Sequence, residues 1–356
     1  MNVLLGVIYH FIGGVASGSF YMPYTKVKKW SWESMWIVGG IFSWLIFPWI
    51  AAWITVPEYA NIIKGTSGNT FWWTYFMGVL WGIGGLTYGL GIRYLGMSLG
   101  NSVILGLSAA FGAILPSVYY ELFPQDGKVT ITDMFYNSWG QYVLAGVVIC
   151  LAGIAVCGKA GVMKDKELAK KGNGKIRNSK TGEYKIGVGL VVAVISGVLS
   201  ACFNYGIEAG KPMAESAVLY GVNQLFQNNV IFVVLLWGGL TTNFLWCAFL
   251  NIKNKSYREY IDLDAPLISN YFLAAIAGIT WFMQFFFYGM GESILGNGAS
   301  SWILHMAFII LVANVWGLFL REWKEVSRKT LWTIIVGILI IVFAILIVGY
   351  GNSMRD

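Results

Sequence analysis

Ten stretches of this chain contain no Asp, Glu, Lys or Arg, and each is long enough to cross a bilayer. They are Asn2–Tyr24, Ser34–Val56, Phe71–Ile92, Tyr94–Tyr120, Ser138–Gly158, Ile186–Ile207, Ala217–Ile252, Leu267–Gly291, Ser293–Leu320 and Leu331–Met354. A hydrocarbon core takes roughly 20 helical residues to span. Backbone groups in lipid have no water to bond, so each stretch must satisfy its own N–H and C=O groups as a helix or join a closed barrel. The alternating pattern of a barrel is missing. The expected fold is an all-α integral membrane protein with ten transmembrane helices, labelled α1 to α10 in the order given. With 57% hydrophobic and 12% charged residues, the chain carries too much apolar surface for a soluble protein of 356 residues. The first stretch has no basic region ahead of it and reads as a retained helix, not a cleaved signal peptide.

Charge sets the expected orientation. Of the 24 Lys and Arg, all but Lys64, Lys128, Lys211 and Arg355 fall in the connections after α1, α3, α5, α7 and α9. Basic loops stay in the cytoplasm, which places both termini on the outer side. The net charge of +7 is then a topology signal; it predicts contact with the lipid bilayer and no nucleic-acid partner. The densest basic segment, 159–185, has no apolar periodicity and reads as a flexible cytoplasmic linker between halves 1–158 and 186–356.

Those halves echo each other. GVLWGIGGLTYGLG, from Gly78 to Gly91, returns as GITWFMQFFFYGMG, from Gly278 to Gly291; both follow G-x-x-W-x6-Y-G-x-G and both lead on to Leu-Gly-Asn. In α1 and α6, GVASGSF from Gly14 corresponds to GVLSACF from Gly197. Five crossings is an odd number, so corresponding helices are expected to run in opposite directions. Two inverted five-helix repeats are a device of secondary transporters, in which the halves exchange inward-open and outward-open shapes. Small residues such as Gly13, Gly14, Ser17 and Gly18, or Gly78, Gly82, Gly84 and Gly85, allow helices to approach closely. Pro23, Pro48 and Pro116 are candidate kinks.

Neither HExxH nor GxxxxGK[ST] occurs, which points away from a zinc-dependent enzyme and an ATP-driven pump, and no catalytic constellation stands out. Cys150, Cys157, Cys202 and Cys247 lie in apolar stretches with no paired spacing, so no metal or redox site is expected. Polar groups inside spans are costly and become the site candidates. His10 and His305 fall in the outer part of α1 and α9. Ser196, Ser200, Asn204 and Glu208 form an i, i+4 stripe along α6 that continues to Lys211. Gln224, Gln227 and Asn228 open α7 at the same level as Gln284 in α8, which together predict an outward-facing polar cavity. Three of these break the repeat symmetry: Gln284 aligns with Gly84, His305 with Ala109 and His10 with Ala193. Histidine titrates near neutrality, making His305 and His10 proton-coupling candidates. Glu208 is a third, alongside its reading as an ion-pair partner of Lys211. Glu33 is a fourth, alongside its reading as a helix-dipole partner in a turn that Ser31 can cap. Trp44, Trp81 and Trp281 fall near mid-membrane, where an indole face suits the C–H face of a sugar ring.

The blocks FYMPYTKVKKWSWESMW, GGIFSW, WGIGGLTYGLGIRYLGMSLG, GKPM, MQFFFYGMG and SWILHM together resemble the bacterial L-rhamnose/proton symporter family, within the drug/metabolite transporter superfamily. The resemblance covers both halves. It implies ten helices in inverted repeats, no cofactor, and proton-driven uptake of L-rhamnose, or a close deoxy- or pentose sugar, across the bacterial inner membrane. Its matched positions include Tyr21, Glu33, Gln284, Tyr288, Trp302 and His305. The expected sugar-binding set is therefore His10, Tyr21, Trp81, Asn204, Gln227, Asn228, Trp281, Gln284, Tyr288 and His305. A carrier of the same fold for another sugar or metabolite, sodium-coupled or exporting, is the alternative; a sensor without transport would want a soluble domain that segment 159–185 is too short to form. Nothing in the sequence sets an oligomeric state.

Overall fold

The computed structural model describes residues 3–95, 97–124, 127–170, 186–319 and 323–354. Positions 171–185 of the expected linker, together with Arg321 and Arg355, lie outside the described residues. Every regular element among those described is helical. Ten helices are long and apolar enough to cross a membrane: α1 Val3–Tyr24, α2 Trp32–Thr55, α3 Gly68–Leu95, α4 Gly100–Leu122, α5 Ser138–Lys170, α6 Gly187–Leu219, α7 Gln224–Asn254, α8 Leu267–Leu295, α9 Gly298–Phe319 and α10 Arg328–Ser353. Large apolar side chains such as Trp53, Ile54, Trp72, Leu245 and Phe272 stand exposed, as lipid-facing residues should.

Several helices outrun their charge-free stretches, α5 and α6 by the most. α5 does not stop at Gly158 but continues to Lys170, so positions 159–170 of the expected linker are helix. Ala160 and Gly161 are buried there, the Lys164 ammonium lies 4.7 Å from the centre of the Trp323 ring, and Glu167 accepts hydrogen bonds from Ser327 and Thr330 at the start of α10. α6 likewise passes Ile207 and ends at Leu219. Lys211 is therefore a helical residue and not part of a loop.

The chain forms two compact units, and each draws on both halves of the sequence. Unit I comprises Met1–Val7, Gly84–Ala201 and Leu295–Asp356; unit II comprises Ile8–Ile83 and Cys202–Ile294. In unit I, α5 and α10 lie side by side in opposite directions. Gly146 meets Val348, Gly153 meets Ile341 and Cys157 meets Gly337, each glycine leaving room for the facing residue. Across the same unit the Trp302 indole donates to the Ser108 carbonyl at 2.9 Å and covers Gly112.

Unit II holds two matching crossings. Gly78 of α3 packs on Leu235 and Gly238 of α7, and Gly278 of α8 packs on Gly39 and Phe42 of α2. Gly78 and Gly278 open the two copies of the repeated motif. A Cβ on either would overlap a backbone carbonyl of its neighbour, Leu235 in one case and Gly39 in the other, so glycine is required for these backbones to meet.

Candidate functional site

The middle of α2 departs from regular helix. Residues Ile41–Ile46 form a π-helical turn directly ahead of Pro48. Proline has no N–H to give the Trp44 carbonyl four residues earlier, and its ring crowds that carbonyl, so the hydrogen-bond ladder slips. Such slips are common at functional sites. Here the slip holds Trp44, which is 2% exposed. Its ring centre lies 5.7 Å from Trp281 and 6.5 Å from Trp81, edge-on to both, while Trp81 and Trp281 lie 5.6 Å apart. Phe285 and Phe203 extend the cluster, 4.9 Å from Trp281 and 5.2 Å from Trp81.

A crevice of about 180 Å³, its mouth included, opens against this cluster between Phe20, Tyr24, Trp36, Gly40, Ser43, Trp44, Gly278 and Trp281. The Trp44 Nε1 donor is buried there without a partner among the described residues. Trp237 Nε1 is buried without a partner as well, whereas Trp36 donates to Asn243 at 3.0 Å and Trp30 to the Glu259 carbonyl at 2.9 Å; Trp44 is the one that faces the crevice. A buried donor left over beside aromatic faces matches what a hydroxylated ring offers, an apolar face and acceptor oxygens at its edge.

A polar ladder joins α6, α7 and α8 in the same unit. Tyr288 donates to Asn204 Oδ1 at 3.0 Å, and the His10 ring meets Tyr288 edge-on at 5.3 Å. One helical turn further along α8, Glu292 accepts from Lys211 Nζ at 2.6 and 2.7 Å and from Asn228 Nδ2 at 2.7 Å. Asn228 also donates to the Gly289 carbonyl at 3.1 Å. The sequence reading missed Glu292, because it took the residue as the charge bounding a span; its i, i+4 spacing from Tyr288 was the available signal. The expected partner of Lys211 was Glu208, which is half-buried on the same helix.

These groups do not line an open cavity. His10, Asn204 and Tyr288 are fully buried, Asn228 is 1% exposed and Gln284 4%. Phe203, Phe232 and Phe285 pack beside them, with 4.0 Å between the rings of Phe203 and Phe285. The reason is length: α6 continues past Ile207 and brings the polar stripe under α7 and α8 instead of into solvent.

The remaining expected residues scatter. Tyr21 is exposed and Gln227 half-buried, both in unit II. His305 is buried and belongs to unit I, whereas the other members of the set belong to unit II. Glu33 anchors a separate cluster, accepting from Asn254 Nδ2 at 2.8 Å and Ser256 Oγ at 2.9 Å. Ser31 stands at the N-cap of α2 but makes no side-chain cap; its hydroxyl and amide donate to Glu259 at 2.9 and 2.7 Å. Among the described residues no group of three His, Cys, Asp or Glu is placed to hold a metal.

The sequence model of the L-rhamnose-proton symport protein family (RhaT) matches residues 1–354. The chain is 35% identical over 356 residues to an L-rhamnose-proton symporter of Cronobacter sakazakii, covering 99% of this chain and 98% of that one. It is 33% identical, with the same coverage, to L-rhamnose-proton symporters of Yersinia pestis and Yersinia pseudotuberculosis.

Proposed function

The chain belongs to the L-rhamnose-proton symport protein family, and from that premise we propose that it imports L-rhamnose, or a close deoxy- or pentose sugar, with protons across a bacterial inner membrane. The observation that carries this reading is the match to that family from end to end. The geometry of the chain supports a carrier of the alternating-access kind. α5 and α10 hold the same place in the two halves and run in opposite directions, and the Gly78 and Gly278 crossings repeat one contact with the halves exchanged. Both contacts support reading halves 1–158 and 186–356 as inverted repeats joined through the basic segment 159–185, and the basic-loop asymmetry supports both termini on the periplasmic side.

Sugar binds at the Trp44, Trp81 and Trp281 faces, where the Trp44 Nε1 donates to a ring hydroxyl. At about 180 Å³ the crevice is smaller than the roughly 300 Å³ at which ligand pockets begin. The form described is closed, and sugar entry requires the α2 and α8 faces to separate. Gln284, which is buried, and the Asn204–Tyr288 rung lie on α8 and α6 where such a movement would expose them. The π-helical turn in α2 supplies a place for it to occur without breaking a regular ladder.

Reconstituted protein tests the reading. Uptake of radiolabelled L-rhamnose into proteoliposomes should rise with an inward proton gradient and collapse with an uncoupler. Uptake driven by sodium, or by another sugar in place of L-rhamnose, would redirect the reading within the same fold. Indifference to every gradient would reject it.

A further inference from the structure

We propose that Glu292 is the group that carries the coupled proton, with Lys211 and Asn228 as its positioning residues; the inference rests on the transport reading above. A carboxylate and an ammonium drawn together where both are buried cost desolvation that a well-packed apolar pair would not. Glu292 is 2% exposed and Lys211 is largely covered. Repeat symmetry does not demand the acid, because its counterpart in the first copy of the motif is Ile92. An expensive, asymmetric ion pair at the helix ends calls for a function.

The surroundings suit both protonation states. As a carboxylate, Glu292 takes both its Lys211 contacts and the Asn228 amide N–H. As a carboxyl, it needs an acceptor for its O–H. Asn228 Oδ1 is buried and accepts nothing among the described residues, and a half-turn of the amide exchanges Nδ2 for Oδ1 at Glu292. The proton comes from water on the side the site faces, forms the carboxyl O–H, and returns to water on the other side after the helices rearrange. Nothing else is made or broken. Glu208 and Glu215 on its own helix also act electrostatically on Lys211. Tyr288 faces Glu292 from the preceding turn of α8, within the field of Glu208 as well, and His10 of α1 abuts Tyr288. Neutralising Glu292 weakens the tie between α6 and α8, so that the rung below it, Tyr288 to Asn204, becomes the last polar link between them in this ladder. That links proton arrival to helix separation.

Wild type and Glu292→Gln are compared in proteoliposomes by gradient-driven L-rhamnose accumulation and by exchange of labelled for unlabelled sugar without a gradient. The glutamine variant should lose accumulation and retain exchange, and Glu292→Asp should restore accumulation with a displaced pH profile. Accumulation by Glu292→Gln equal to wild type overturns the proposal. Acid-induced difference infrared spectra of the purified protein need no sugar and keep this inference separate from the transport reading. A protonated-carboxyl band present in wild type and missing from Glu292→Gln supports it, and an unchanged band overturns it. If Glu292→Gln does not fold, Asn228→Ala decides: losing a donor to the carboxylate should displace the pH profile of uptake upward, and an unmoved profile counts against the assignment.

Discussion

Trp81 and Trp281 lie 5.6 Å apart, tilted by 39°, although 200 positions separate them in the chain. They hold the same place in the two copies of one motif, so residues that correspond in the repeat meet face to face beside Trp44. The Trp44 Nε1 there has no partner to lose. Trp44→Phe is therefore expected to lose only the packing of the smaller ring, about 1–3 kcal/mol of stability, while weakening L-rhamnose binding by about tenfold, near the 1.4 kcal/mol scale of one hydrogen bond. Titration calorimetry and thermal unfolding in detergent check the two halves of this expectation. Binding by Trp44→Phe equal to wild type would remove this donor from the sugar site.

The glycine crossings make a second prediction. Gly78→Leu and Gly278→Leu force a side chain into a neighbouring backbone and should each cost about 1–3 kcal/mol or more. Gly85 has nothing within 4 Å of where a Cβ would stand, so Gly85→Ala should be neutral or stabilising by up to roughly 1 kcal/mol through helix propensity. Thermal unfolding of the three variants gives the order. Equal melting temperatures for Gly78→Leu and wild type would remove the crossing as a requirement of the fold.

Much of this was legible beforehand. The ten spans follow from charge-free runs, and the motif copies pointed to Gly78, Gly278, Trp81 and Trp281 because a membrane helix has few other reasons to repeat glycine and tryptophan at fixed spacing. What escaped was set by tertiary contact. Lys211 and Glu292 looked like charges that ended spans, and only the packing of α6 against α8 reveals them as a pair. The helical course of 159–170 depends on Glu167 meeting Ser327 and Thr330, residues far along the chain. Pro48 announced a disturbance in α2, but not its form, a π-helical turn over Ile41–Ile46 that contains Trp44.

Glu33 provides a contrast with Glu292. Its hydrogen bonds to Asn254 and Ser256 tie the start of α2 to the end of α7. Glu33→Gln should lower stability by about 1–3 kcal/mol, because bonds to a charged acceptor are among the stronger ones, while the pH profile of uptake stays in place. A stable Glu33→Gln protein that no longer responds to protons would move the coupling site to the other end of the unit.

Sidedness is open to chemical labelling. The four native cysteines are buried, and buried thiols react poorly, so the background is quiet. Lys64→Cys and Asp262→Cys stand on exposed connections after α2 and α7. An impermeant maleimide added to intact spheroplasts should reach the first and label the second only after permeabilisation. The reverse pattern would turn the topology over.

Symport itself is most directly seen in the proton. Proteoliposomes loaded with a pH indicator and held at equal pH inside and out should acidify internally when L-rhamnose is added outside, because each sugar moving down its gradient takes a proton with it. An uncoupler should abolish the signal. Sugar entry with no change in internal pH would contradict proton coupling in this chain.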